Sequence, residues 1–193
     1  MAYCNQTLAG ITLDCTNNMG GIKTAYIANF DDVKEKLMVS LDQETGEPIK
    51  GEDGKEVEVD VITKLVMADG ATFKPYQFRK GTSSMNSTLT ADETNGLNYV
   101  TTEVSLVFTK MDTAKRVEMS ALSLGQLAVI ILDSNGVYWY ITPDDYAAAS
   151  SGTGETGTAK GDRNAYTLTL TAENTTYPIE ITREAVEAVI DKK

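Results

Sequence analysis

Apolar and polar residues alternate at every second position through much of this chain, the pattern of antiparallel strands with one buried face. Tyr166, Leu168, Leu170 and Ala172 alternate with Thr167, Thr169 and Thr171, and Val100, Val104, Leu106 and Phe108 repeat the pattern in NYVTTEVSLVF. EVEVDVITKLVM puts Val57, Val59, Val61, Leu65 and Met67 on one face, with Glu58, Asp60 and Lys64 on the other. GIKTAYIANF predicts a strand carrying Ile22, Thr24, Tyr26 and Ala28 together, and a further short strand is predicted over 36–41. Asp69-Gly70 marks a turn, after which ATFKPYQF runs extended with Pro75 suited to an edge. LAVIIL, at 127–132, is apolar on both faces and predicts a central strand, closed into a hairpin with VYWYI at Asn135-Gly136.

Helical spacing occurs twice. Ala114, Val117, Ala121 and Leu124 recur on one helical face between a cap at Asp112 or Thr113 and a stop at Gly125. Near the end, Thr182 is placed as an N-cap, Glu184 falls in the first turn, and Ile181 is set to staple onto Val186. The predicted fold is therefore mainly β: one domain over 1–193, an antiparallel sandwich or small barrel with a flanking helix and a short C-terminal helix. Two stretches have little to bury and are predicted as exposed loops, a charged one at about 42–56 and a Gly-rich one at about 150–163.

Composition narrows the function. The chain has 17 basic and 28 acidic residues, a formal charge of -11 and no His. An acidic chain cannot hold nucleic acid by phosphate neutralisation, and a chain without His lacks the side chain most used for proton transfer near neutral pH. No catalytic residue and no cofactor is expected. Cys4 and Cys15 cannot fill a four-ligand zinc site without His, and read more simply as reduced thiols than as a disulfide. The N-terminal MAYCNQTLAGITLDC has no export signature and no run suits a membrane span, so a soluble, unexported chain is expected. The N-x-T triplets at Asn5, Asn86 and Asn174 are then chance in a Thr-rich chain.

The remaining motifs read blandly. Gly152, Gly154 and Gly157 match G-x-G-x-x-G, but no strand precedes them and a period-two segment, not a helix, follows, so a phosphate cradle is not expected. The stretch from Asp42 departs from a calcium loop at Gly46, Glu47 and Asp53. Asp31-Asp32 and Asp144-Asp145 read as solvated charge. Tyr138, Trp139 and Tyr140 lie on a hairpin strand, where alternate side chains enter the core, and RKGTSS at 79–84 reads as a polar turn.

Four segments in order, LDCTNNMGGIKTAYIANFDDV, FRKGTSSMNSTLTADETNGLNYVTTEVSLVF, LAVIILDSNGVYWYI and GTAKGDRNAYTLTLTAENTTYPIEI, resemble the tail tube, or major tail, proteins of tailed bacteriophages infecting Bacteroidales. The resemblance spans most of the chain as a pattern of style. It implies a β-sandwich or small barrel that assembles with itself into six-subunit rings, stacked into a virion tube built in the host cytoplasm, with other tail or connector proteins as further partners. Double-stranded DNA would pass without specific binding, since an acidic wall repels phosphates. On that expectation Glu56, Glu58, Asp60, Lys64 and Glu103 are candidate channel-facing residues, and Asp42, Glu44, Glu47, Lys50, Glu52 and Asp53 belong to a loop reaching the next subunit or ring. A head-to-tail connector or terminator shares this style of fold, and a monomeric Ig-like module binding carbohydrate through Tyr138, Trp139 or Tyr140 is the alternative from another class.

Overall fold

A computed structural model describes residues 18–39, 61–92 and 94–191. In chain order the elements are β1 (Ile22–Asn29), a 3-10 turn at Phe30–Asp32, β2 (Val33–Val39), β3 (Val61–Met67), β4 (Lys74–Gln77), β5 (Ser84–Asp92) and β6 (Leu97–Thr109). Then follow α1 (Thr113–Leu124), β7 (Leu127–Asp133), β8 (Tyr138–Tyr140), β9 (Ala148–Glu155), β10 (Ala165–Asn174), β11 (Ile179–Ile181) and α2 (Arg183–Val189). The strands form a seven-stranded sheet, ordered β2-β3-β11-β8-β7-β1-β4, and a four-stranded sheet, ordered β5-β6-β10-β9. The fold is mainly β, with two facing sheets rather than a closed barrel. Residues 1–17 and 40–60, which include Cys4, Cys15 and the predicted charged loop, lie outside the described residues.

The apolar run of β7 takes the centre of the large sheet, as its two-sided pattern predicts. Leu127, Val129 and Ile131 enter a core shared with Val104 and Leu106 of β6 and Leu168 and Leu170 of β10. Ala128 and Ile130 point the other way, into a second core roofed by Ala185, Val186 and Val189 of α2. The cap and staple of α2 form as expected: Thr182 accepts from the Ala185 amide at 3.3 Å, and Ile181 and Val186 are buried in the same core. Pro75 sits on β4, an edge strand, and Asn135-Gly136 turns the β7–β8 hairpin with Gly136 at φ 93°.

Local irregularity overturns two expectations. In β1 the register against β7 jumps between Ile22 and Thr24, so Lys23 is an extra residue and Ile22 joins Ala25 and Ile27 in the inter-sheet core rather than facing with Tyr26 and Ala28. In β3 the pairing passes from Lys64 to Ile62, which leaves Thr63 as a bulge and buries Ile62 with Leu65 instead of Val61 with Leu65. A bulge shifts the two-residue period by one, which strict alternation cannot register.

The third correction concerns α1. Asp112 caps it by accepting from the Lys115 amide at 2.8 Å, and Gly125 ends it. Its inward face, however, is the partly buried Lys115 and Met119 with the buried Leu122, while the predicted stripe faces outward: Val117 is 55% exposed and Leu124 89%. Two apolar stripes compete on this helix, and the Met119–Leu122 pair offers the sandwich more area than the stripe containing Ala114 and Ala121.

The predicted Gly-rich loop at 150–163 is half strand, because 148–155 pair with β10 as the edge strand β9. Gly154 makes room across the ladder, since a Cβ there would lie 2.9 Å from the Tyr166 ring, whereas one on Gly152 would be in ordinary contact, 3.8 Å from Leu168. The backbone bonds of the ladder supply what apolar side chains do not. Only 156–164 form the connection.

Ile130→Ala is expected to destabilise the protein by about 2–5 kcal/mol in urea unfolding, whereas Leu124→Ser on the exposed helix stripe should stay within about 0.5 kcal/mol.

Candidate functional site: the four-stranded sheet and its open edges

The seven-stranded sheet is covered on both faces, by the small sheet with α1 and by α2. The four-stranded sheet has only its inner face in a core. Cross-strand partners share a face, so the register defines the outer rows. Asn86 pairs with Glu103 and Glu103 with Thr171, while Thr88 pairs with Thr101 and Thr101 with Glu173. Ser84, Ser105, Thr169 and Ser151 form another row. Across these rows the surface is hydroxyls and amides punctuated by carboxylates, and Thr171 Oγ1 hydrogen-bonds Ser150 Oγ at 2.9 Å; the same face continues through Tyr99 and the exposed Leu97 toward the β5–β6 turn and through the buried Val107 toward the other end.

Charge is divided between the sheets. β5, β6, β9 and β10 contain no Lys or Arg, and their charged residues are Asp92, Glu103, Glu155 and Glu173. Lys23, Lys34, Lys36, Lys64 and Lys74 all stand on strands of the large sheet.

Both edges of the small sheet are open among the described residues. β5 runs nine residues and β9 eight, without Pro, and each carries its only charge at its last residue, Asp92 or Glu155. Long uncharged edges are what solitary β proteins avoid, since unpaired amides and carbonyls template pairing with another chain. Because all pairings in this sheet are antiparallel, β5 and β9 run in opposite directions.

Of the predicted channel residues, Glu103 lies on this outer face and Lys64 is exposed on β3 of the other sheet, so the two are not brought together. Glu56, Glu58 and Asp60 lie outside the described residues, as do Asp42, Glu44, Glu47, Lys50, Glu52 and Asp53. Sequence reasoning missed the Ser/Thr rows flanking Glu103. The signal was available, because the polar positions of the two best-alternating segments hold hydroxyls and carboxylates and no cation.

Other candidate chemistry is dispersed. Tyr140 is fully buried, Trp139 donates from Nε1 to Asp133 Oδ2 at 3.2 Å, and Tyr138 leans on Tyr26 with centroids 6.2 Å apart, so the three rings form no common platform. Asp144 and Asp145 are held as a loop: both amides donate to Asn174 Oδ1, at 3.0 and 3.1 Å, and Asn174 Nδ2 donates to the Ile141 carbonyl at 3.0 Å. Burial pushes the Tyr76 hydroxyl well above its ordinary value, reinforced by its hydrogen bond to Glu118, which fastens β4 to α1. Among the described residues no group of three or more His, Cys, Asp or Glu is placed to hold a metal, and no helix is long and apolar enough to cross a membrane.

Comparison with protein-family models, curated proteins and solved structures returns no match.

Asn174→Ala strands the Ile141 carbonyl inside and frees the Asp144–Asp145 loop; a loss of about 1–3 kcal/mol is expected in chemical denaturation, together with faster amide exchange at Asp144 and Asp145.

Proposed function

We propose that this chain is a structural virion protein of the tail-tube type, whose copies close into rings through the two edges of the four-stranded sheet and stack into a conduit for the genome. The observation that carries the reading is the pair of long, oppositely directed edges on one sheet, each without charge before its last residue. A rotation about an axis running along the strands brings β9 of one copy beside β5 of the next in antiparallel register, and repetition closes a ring without leaving an edge. Six copies of a four-stranded sheet make a wall of about 24 strands and about 115 Å round, at a strand spacing of about 4.8 Å. About 16–18 strands already enclose an aqueous channel.

The division of charge supports the same orientation. If the cation-free outer face lines the bore, passing phosphates meet carboxylates and hydroxyls and find no lysine to release counterions against. Glu103 and Glu173 then stand in the channel, and Lys64 stands outside it.

Negative-stain microscopy of the purified chain is expected to show stacked rings; single rings at every concentration point instead to a connector, and monomers overturn the proposal. Lysine at Thr88 in β5 or Thr153 in β9, the kind of charge that guards natural edges, should raise the concentration needed for assembly at least about tenfold, equivalent to about 1.4 kcal/mol. Tubes assembled from a Thr101→Lys, Glu103→Lys, Thr171→Lys variant should retain duplex DNA at low salt where wild-type tubes do not. Retention by neither would place the face outside the bore.

A further inference from the structure

The strand directions that leave two open edges also sort the connections to two ends. β5 and β6 meet at Asp92↔Leu97, and nearby β10 finishes at Asn174 opposite Val100 and β9 begins at Ala148 opposite Thr171. The opposite end holds the start of β10, where Ala165 lies between Thr109 and Glu155, together with the connections 110–112 and 156–164. The β4–β5 connection reaches that end too, because Arg79 lines one shallow depression of about 530 Å³ with Lys110 and Arg163.

Among the described residues these ends carry opposite charge. At the first, Asp144, Asp145 and Glu173 are exposed, and Asp92 closes the β5–β6 turn by accepting from the Thr94 amide at 2.9 Å and from Asn95 Nδ2 at 2.6 Å. The hydrogen bonds from Asn95 and Thr94 hold the Asp92 carboxyl below its ordinary range, so it stays ionised. Asp144 is set in place by Thr175, whose amide and hydroxyl donate to its Oδ2 at 2.8 and 2.6 Å. Lys36 is the cation nearby, and it lies partly buried beneath the loop, donating to the Pro143 carbonyl with its Nζ over the rings of Phe30 and Tyr140.

At the second end Arg79, Lys80 and Lys110 are exposed and form no ion pair among the described residues. The acids there are already engaged: Asp112 pairs with Lys115, Glu155 pairs with Arg163 at 2.6 Å, and Asp162 Oδ2 accepts from the Thr158 and Ala159 amides, both at 2.7 Å. Lys110 is held at φ 66°, a backbone that suits glycine or asparagine far better than lysine. Asn164 enforces it, its carbonyl accepting from the Lys110 amide and its Oδ1 from the Met111 amide, each at 2.7 Å. The chain thus keeps a cation, at a conformational cost, where glycine would serve the turn.

We propose that the two ends are the two halves of a contact between copies, in which the Arg79–Lys80–Lys110 end of one sandwich seats on the Asp144–Asp145–Glu173 end of the next. This deepens the tail-tube reading and rests on it for the ring that presents each end many times over. It names the surface by which rings add and gives growth a direction, because opposite ends attract while like ends repel. Multiplication around a ring turns individually weak exposed pairs into a strong joint.

Salt alone is a poor probe, since it screens these pairs and also the mutual repulsion of chains with a charge of -11. Charge reversal decides instead. Arg79→Glu with Lys80→Glu, and separately Asp145→Lys with Glu173→Lys, should each leave rings intact by microscopy and analytical ultracentrifugation while shortening tubes at least tenfold. All four changes in one chain exchange the two ends and should restore length; mixing the two double variants should do the same by alternate stacking. Tubes of wild-type length from either double variant, or no recovery in the combined chain while its unfolding midpoint matches that of the double variants, overturn the inference. Wild-type rings that never stack overturn it and leave edge pairing standing, whereas end-to-end oligomers that never close a ring do the reverse. A wild-type chain that stays monomeric overturns both.

Discussion

The burial of β7 on both faces is the constraint from which the rest of the architecture follows. Leu127, Val129 and Ile131 go into the inter-sheet core and Ala128 and Ile130 into the core under α2. A strand with apolar groups on both sides cannot border water, so a layer must cover each side. The small sheet and α1 supply one layer and α2 the other. The small sheet is then the outermost layer on its side, and the face it turns away from the core has to be polar.

That polar face could have been built from lysines, as on most strands of the large sheet. It is instead largely Ser, Thr and Asn with carboxylates, continued by Tyr99 and Leu97, and it is bounded among the described residues by two edges without Pro and without charge before their last residue, β9 carrying a bulge at Ser150. For a solitary molecule, such a sheet would be a hazard. Under the proposed tube assembly the same features become requirements, because a charge on the edge would block the joint and a cation on the face would hold a passing polyanion. The segregation of charge between sheets and between ends is invisible in the total of -11, which averages a strongly patterned surface.

Much of this was legible in the chain because local physics decides it. The alternation in β6 and β10, the two-sided run of β7, the Asn135-Gly136 hairpin, Pro75 at an edge and both helix caps depend on residues within a few positions of one another. The misreadings share a cause. Lys23 and Thr63 bulge because of the strands beside them, α1 turns Met119 and Leu122 inward because the sandwich has space for them, and 148–155 form a strand because β10 offers a ladder. Gly154 looks like a loop residue until Tyr166 is placed over it.

The sequence by itself determined a mainly β chain with two capped helices, a central apolar strand, and an acidic surface with no His, since propensity, period and composition are properties of the string. The tertiary structure alone decided which sheet carries the cations, that the open edges flank the sheet without them, and that Lys110 and Asp144 stand at opposite ends. Those are relations between residues tens of positions apart. They come from strand order and direction, which depend on how apolar faces are buried together and not on any single segment.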